Sequence, residues 1–321
     1  MVAGPVLALD IGGTKLAAGV VSPEGEVVAE GTAATEPAAL PAEVSEALFR
    51  LAEEVLRPAG LAFGDLAAAG ISFGGPVNYE AGTVVTCHHL AGWEGVPFRD
   101  IVSERTGLRA VMDNDANAAA LGETVFGAAR ECQHVLYVTV STGIGGGLVL
   151  GGRVHRGLNS MAGEIGHTHL VPYGPRCTCG RLGCLESVAA GWAMARDARA
   201  ALDGGAASAL RSIPREELSA RHVAEMAQTD ALAARIMGRA GEYLGLGIAR
   251  AVTLVSPEVV VIGGGISQAG DVLLGPLRRG FERHVMPEVA RGLRIAPGEL
   301  SPRWGLYGAA ALALRELLPA D

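Results

Sequence analysis

The sequence predicts an α/β protein in two domains. Three observations carry that reading. At 321 residues the chain is long for a single hydrophobic core. Its residues are 49% apolar but only 4% aromatic, the make-up of layers packed from Ala, Val and Leu. Its 46 glycines, about twice the ordinary share, gather in motifs rather than in a linker, which suits backbone that approaches ligands closely.

Charge narrows the function. A net charge of −8 with no basic run argues against a nucleic-acid protein, because such binding depends on neutralising phosphates. The N-terminus, MVAGPVLALD, has neither a basic region nor an apolar stretch long enough for a signal peptide or a membrane span. A soluble, cytoplasmic protein is expected.

The elements follow in order. Val6 to Ile11 reads as an apolar strand containing Asp10, and Gly12-Gly13-Thr14-Lys15 turns it into a second strand, Leu16 to Val21. A third strand runs from Glu26 to about Thr32. This glycine turn is not a P-loop, which needs four residues between its glycines and a helix after them. Its amides and the Thr14 hydroxyl can still cradle a phosphate, and Asp10 can orient a hydrated magnesium ion. Pro41 to Pro58 is helical, with Val44, Leu48, Leu51 and Val55 on one face. The strand Ala67 to Phe73 runs into Gly74-Gly75-Pro76, which puts bare backbone at the sheet's carboxyl edge.

Arg109 to Met112 is a further strand, ending in Asp113-Asn114-Asp115, where an alanine-rich helix to about Phe126 begins. Asp113 reads as a structural cap. Asp115, at the junction of strand and helix, is placed to accept a proton from a substrate hydroxyl. His134 to Ser141 is a strand, and Ser141-Thr142-Gly143-Ile144-Gly145-Gly146-Gly147 is a second glycine-rich turn before the strand Leu148 to Leu150. The layout repeats residues 6 to 21. Two such turns can grip one polyphosphate.

The stretch Met161 to Ser187 holds the densest chemistry. Cys177, Cys179 and Cys184 form Cys-x-Cys-x4-Cys, with Gly180 and Gly183 between them to let the backbone curl. His167 as fourth ligand would complete a Cys3His set typical of structural zinc, with His169 as its rival. Glu164 and Glu186 flank this loop as polar groups aimed at something else, such as hydroxyls of a substrate. Cys87-His88-His89 lacks a further ligand at sensible spacing and reads as ordinary loop. Residues 203 to 221 read as loop with a short helix, followed by two helices over His222 to Leu254. The strand Val259 to Ile262 leads into Gly263-Gly264-Gly265, a surface for a base or ribose, and a last helix spans Arg303 to Leu318.

Taken in order, Asp10-Ile11-Gly12-Gly13-Thr14-Lys15, Asn114-Asp115, the Ser141 to Gly147 turn, Glu164-x-x-His167, Cys177-x-Cys179-x4-Cys184-x-Glu186 and the Gly263 turn resemble the ROK family of sugar kinases and sugar-responsive repressors. The resemblance covers nearly the whole chain and points to the bacterial glucokinase branch. It implies an actin-like, ribonuclease-H-like ATPase fold in two lobes with the active site in the cleft between them. The smaller lobe would span 1–114 with a returning helix at 305–321, and the larger lobe, 115–304, would carry the zinc loop. By the same resemblance Asp115 is the general base, while Asn114, Glu164, His167, Glu186 and backbone near Gly75 hold sugar hydroxyls. His167 would serve twice, one ring nitrogen on zinc and the other toward the sugar. The phosphates of Mg-ATP would lie at Gly12 to Lys15 and at Thr142-Gly143, and adenosine near Gly263 to Gly265.

The implied activity is ATP-dependent phosphorylation of a hexose, glucose first. N-acetylmannosamine, N-acetylglucosamine or fructose are the alternatives, and a sugar-binding regulator comes third. ATP, Mg2+ and a structural Zn2+ are the expected cofactors, and a homodimer or tetramer the expected assembly. Many glucokinase relatives carry Pro-Asn-Leu where this chain has His88-His89-Leu90 ahead of Gly92-Trp93, a difference that bears on which sugar is taken.

Overall fold

A computed structural model describes residues 4–36, 38–87 and 90–318. The chain packs as two units, each with its own contacts. Unit 1 takes the residues up to Gln133, then Gly147–Ala162, then those from Glu299 on; unit 2 takes His134–Gly146 and Gly163–Gly298.

Unit 1 is built on β1 (Val6–Ile11), β2 (Lys15–Val21), β3 (Val27–Ala34) and β4 (Ala69–Phe73), with a small hairpin of β5 (Val77–Asn78) and β6 (Thr83–Val84), and then β7 (Ala110–Asn114). The main sheet runs β3-β2-β1-β4-β7. β1 and β4 are buried along their whole length, as central strands should be, while β3 alternates between half-buried and exposed residues. β1, β4 and β7 are parallel, in a register that sets Asp10 opposite Ser72 and Phe73 opposite Asn114. Their carboxyl ends therefore share one edge, where α/β sheets hold ligands. Helix α1 (Pro41–Leu56) lays Val44, Leu48, Leu51 and Val55 on this sheet, as its periodicity predicts. α2 (Phe98–Thr106) precedes β7, and α3 (Asp115–Phe126) follows it without a break.

The second sheet consists of β8 (Val135–Val140), β9 (Ile144–Leu150), β10 (Arg153–Val154), β11 (Val259–Gly263) and β12 (Arg294–Pro297), in the order β10-β9-β8-β11-β12. By order of appearance, both sheets are arranged third, second, first, fourth, fifth. This is the internal repeat predicted from the two strand-turn-strand segments, now visible as topology. β8, β11 and β12 are parallel, so Ser141 and Gly264 leave the sheet at the same edge. Unit 2 holds β8, β11 and β12, together with α4 (Glu186–Ala189), α5 (Gly191–Asp203), α6 (Ala220–Met226), α7 (Ala231–Val255), α8 (Asp271–His284) and α9 (Pro287–Ala290). The predicted pair of helices over His222 to Leu254 corresponds to α6 and α7.

The chain returns to unit 1 in α10 (Trp304–Leu312). Here α3 and α10 cross at Gly122 and Gly308: a Cβ on Gly122 would lie 3.0 Å from the Gly308 nitrogen. Two glycines at the crossing let the helix backbones meet, and α3 groups with unit 1, so the expected division after residue 114 falls inside this unit. Among the described residues no helix is long and apolar enough to cross a membrane.

One expectation needs correction. The second glycine turn is shorter than predicted, because Gly145, Gly146 and Gly147 belong to β9. Neighbouring backbone fills the space their side chains would take: a Cβ would lie 2.6 Å from the Gly163 oxygen at Gly146 and 2.5 Å from the Ala116 oxygen at Gly147. These glycines serve close packing in a strand. The turn proper is Ser141 to Gly143, closed by the Ser141 amide donating to the Gly143 carbonyl at 2.9 Å.

Candidate active site

Unit 2 brings His167, Cys177, Cys179 and Cys184 together, with one donor atom of each within 4.8 Å of all the others. Cys179 Sγ lies 3.7 Å from Cys184 Sγ, and Cys177 Sγ lies 3.6 Å from His167 Nδ1. A tetrahedral zinc with bonds of about 2.3 Å to sulfur and 2.0 Å to nitrogen sets such donors roughly 3.6–3.8 Å apart, so the four residues fit that ion. The local fold explains how they converge. Gly180 and Gly183 take φ of 85° and 70°, a left-handed backbone that folds the cysteine loop back on itself. Burial pushes the Cys184 thiol up to about 12, so a cation beside it would favour its thiolate, while the backbone at Arg181 holds the exposed Cys179 thiol below its usual range. His169, the rival ligand, is outside the group; its backbone bridges Cys184 and its ring is exposed.

His167 closes a 3-10 turn, Ile165–His167, that starts from Glu164. This turn sets His167 Nε2 3.9 Å from Glu164 Oε2, on the side of the ring away from the sulfurs. Burial raises the Glu164 carboxyl above the usual carboxylate range, His167 opposes the rise and Glu186 adds to it. Glu186 is buried at the start of α4. Its Oε1 accepts the Thr178 hydroxyl at 2.7 Å, and its Oε2 accepts the Ile144 amide at 3.1 Å. Thus the side chain two residues after the last cysteine also braces the Ser141–Gly143 turn.

That turn opens on a cleft of about 850 Å3 within unit 2. Thr142 and Gly265 line it, together with Trp192 of α5 and Arg221, Glu225 and Gln228 of the α6 segment. Gly263 and Gly264 play a different part from Gly265. A Cβ on Gly263 would strike the Tyr137 hydroxyl and one on Gly264 would strike the Val140 backbone, so these two let β11 turn against β8. None of these four residues belongs to a sequence motif, and only their position around the cleft reveals them.

In unit 1 the first glycine turn is closed by the Gly12 amide donating to the Lys15 carbonyl at 2.9 Å. Thr35, absent from the sequence reading, braces it by donating its hydroxyl to the Gly12 carbonyl at 2.9 Å and its amide to the Thr14 carbonyl at 3.1 Å. Asp10 is buried below the turn and accepts the Ser72 hydroxyl at 2.8 Å. Burial raises its carboxyl from 3.8 to about 6, against the lowering effect of Ser72 and Lys15.

At the same edge Asn114 caps α3, its Oδ1 accepting the Ala116 amide at 2.9 Å and the Asn117 amide at 3.4 Å. Its Nδ2 donates to the Gly75 carbonyl at 3.2 Å, which joins two predicted sugar-site positions. Asp115 is the first residue of α3 and is partly exposed. Asp113 is not the cap. It is fully buried and takes Arg156 Nε at 2.7 Å. Cys87 stands apart from any metal group among the described residues, and His88 and His89 lie outside them.

The ROK family profile matches residues 6–316. Glucokinase of Thermotoga maritima is 34% identical over 311 residues, covering 96% of this chain and 96% of that protein. Xylose repressor of Caldicellulosiruptor bescii is 28% identical over 317 residues, covering 98% of this chain and 79% of that protein. The crystal structure of a ROK family glucokinase from Streptomyces griseus, in complex with glucose and AMPPNP, is 33% identical with a TM-score of 0.82 and covers 96% of this chain and 99% of that one. With a family profile along almost its entire length and the actin-like ATPase fold of its structural neighbours, this chain belongs to the ROK family.

Proposed function

We propose that this chain is an ATP-dependent hexose kinase, a glucokinase in the first instance, that transfers the γ-phosphate to the 6-hydroxyl of glucose. The observation that carries the reading is Asp115 on the first turn of α3, capped by Asn114 at the carboxyl edge of the sheet that also presents Asp10 and the Gly12–Lys15 turn. A carboxylate there accepts the proton of the attacking hydroxyl as the new bond forms. The glucokinase relatives and the neighbour solved with glucose and AMPPNP support glucose as acceptor and ATP as donor.

Phosphoryl transfer needs positioning and charge neutralisation more than covalent help. The Gly13 and Lys15 backbone and the hydroxyls of Thr14 and Thr142 hold phosphate oxygens, with Gly12 shaping the first turn and Gly143 giving close approach at the second. Asp10 orients the magnesium ion, which neutralises developing charge when bound. Gly265, with Gly263 and Gly264 shaping its turn, and the cleft beside Trp192 take the nucleoside. Asn114, the backbone at Gly75, Glu164, His167 and Glu186 hold sugar hydroxyls. His167 uses Nδ1 for the zinc ion and keeps Nε2 for the sugar. A zinc held by these four donors would be structural, since they would leave it no open position.

A sugar-responsive regulator is the second reading, favoured by the match to a xylose repressor over 98% of the chain. The deciding experiment measures ADP release with Mg-ATP across glucose, mannose, fructose and the N-acetylated hexosamines. Glucose-dependent turnover supports the glucokinase reading. Turnover with an N-acetylated sugar alone moves the substrate and points to the His88-His89 segment. Tight sugar binding without any turnover moves the protein to the regulators.

A further inference from the structure

Asp113 and Arg156 belong to no part of the proposed chemistry, yet they form the most buried ion pair among the described residues. Asp113 has 0% side-chain exposure and Arg156 has 16%. A carboxylate taken wholly out of water costs several kcal/mol unless it is paired and hydrogen-bonded, so a pair buried to this degree needs a reason. Its geometry gives one. Asp113 Oδ1 accepts the backbone amide of Asn114 at 2.8 Å and Asn117 Nδ2 at 3.0 Å. One oxygen therefore grips the chain just before Asp115 and again two residues after it. The other oxygen, Oδ2, is held by Arg156 Nε at 2.7 Å.

Arg156 is itself fixed on three sides. Its second nitrogen donates to Glu316 Oε1 at 2.9 Å, and its guanidinium lies 3.5 Å from the centroid of the Tyr79 ring. The Tyr79 hydroxyl donates to Glu316 Oε2 at 3.2 Å, and the Tyr79 amide is bound to Ser160 Oγ at 3.2 Å. The planar fork of arginine can satisfy two carboxylates and stack on a ring at once, which lysine cannot.

We infer that Arg156 is a positioning residue for phosphoryl transfer: by holding the Asp113 carboxyl in place, it fixes the Asn114–Asn117 turn and so the direction in which Asp115 presents its carboxylate. The inference rests on the kinase reading, with Asp115 as base. Burial already raises the Asp113 carboxyl above the usual range and Arg156 is the largest influence against it; without Arg156 the group loses its Oδ2 partner and is free to turn. The grip on Asn114 and Asn117 then loosens. Asp115 stays on its helix, but the reacting geometry is lost.

The test compares wild type, Arg156→Met, Arg156→Lys, Asp113→Asn, Asp115→Asn and Glu123→Ala for kcat, sugar KM and calorimetric sugar affinity. Glu123→Ala is the control for general destabilisation, since Glu123 lies on the same helix but braces backbone amides at the other end. The expected result for Arg156→Met is a fall in kcat of about 100-fold with sugar affinity within about threefold of wild type, the pattern of misplaced reacting groups. Arg156→Lys should recover part of kcat, and Glu123→Ala should keep it.

An Arg156→Met enzyme with kcat within about threefold of wild type, or one whose kcat and affinity fall together, overturns the inference. If Arg156→Met does not fold, Arg156→Lys and Asp113→Asn carry the test, and unchanged kcat in both overturns it. A wild-type protein without sugar-dependent turnover, or an active Asp115→Asn, overturns the kinase reading and this inference with it. Loss of activity in Asp115→Asn with none in Arg156→Met overturns the inference alone.

Discussion

Glu186 accepts the backbone amide of Ile144 at 3.1 Å, so one buried carboxylate ties the cysteine loop to the second glycine turn. Its other oxygen takes the Thr178 hydroxyl from between two of the cysteines. The loop that would hold zinc and the turn that would hold phosphate are therefore set by the same side chain.

This link gives Glu186 a structural part beside its proposed contact with sugar. Glu186→Ala should raise the KM for ATP as well as for sugar, each by about tenfold or more, because bonds to a charged acceptor are worth about 1.5–3 kcal/mol. Steady-state kinetics with each substrate varied in turn checks it. A change confined to the sugar KM would show that the Ile144 contact does not govern the turn.

Cys179→Ser should lose the metal, the order of the loop and sugar affinity together. Metal content by mass spectrometry should fall from about one zinc per chain to near none, with a lower melting temperature, since structural zinc contributes folding free energy. A variant that binds sugar as the wild type does, without zinc, contradicts the assignment.

Asp10 separates stability from function. Burial raises its carboxyl from 3.8 to about 6, so its contribution to stability is full below about pH 3.8 and is lost as pH rises through 6. At pH 7.5 Asp10→Asn should therefore stabilise the ligand-free protein by about 1–3 kcal/mol while abolishing Mg-ATP-dependent turnover. The gain should vanish below about pH 4. Urea unfolding at the two pH values checks this, and a variant that is less stable at pH 7.5 contradicts it.

Glu123 gives a purely structural prediction. Its carboxylate accepts the amides of Ala128 at 2.8 Å, Leu300 at 3.2 Å and Glu299 at 3.3 Å, where the chain re-enters unit 1. Glu123→Ala leaves these donors without that partner and should cost about 2–4 kcal/mol in chemical unfolding, with kcat of the folded enzyme unchanged. A cost below about 0.5 kcal/mol would show that water replaces the carboxylate.

How much of this was legible beforehand depended on sequence distance. The cysteine loop was readable because its donors lie between His167 and Cys184, with glycines where the backbone must turn left-handed. His167, expected as fourth donor ahead of His169, does group with the cysteines, although the short 3-10 turn that carries it was not read from the sequence. The first glycine turn was legible, but its brace, Thr35, sits 23 residues from Gly12. Arg156 is 43 residues from Asp113 and belongs to no motif. The run Gly145 to Gly147 misled the reading because only the folded neighbours show that it is strand. The cleft walls on α5 and α6 carry ordinary helical sequence, so their role appears only when the helices are packed.

The central claim is that Asp115 is the base of a sugar kinase, and the most direct measurement is the kcat of Asp115→Asn with glucose and Mg-ATP, paired with its glucose affinity by calorimetry. The account expects kcat to fall by at least about 1,000-fold with glucose affinity within about threefold of wild type. A kcat within about tenfold of wild type would contradict the assignment of Asp115.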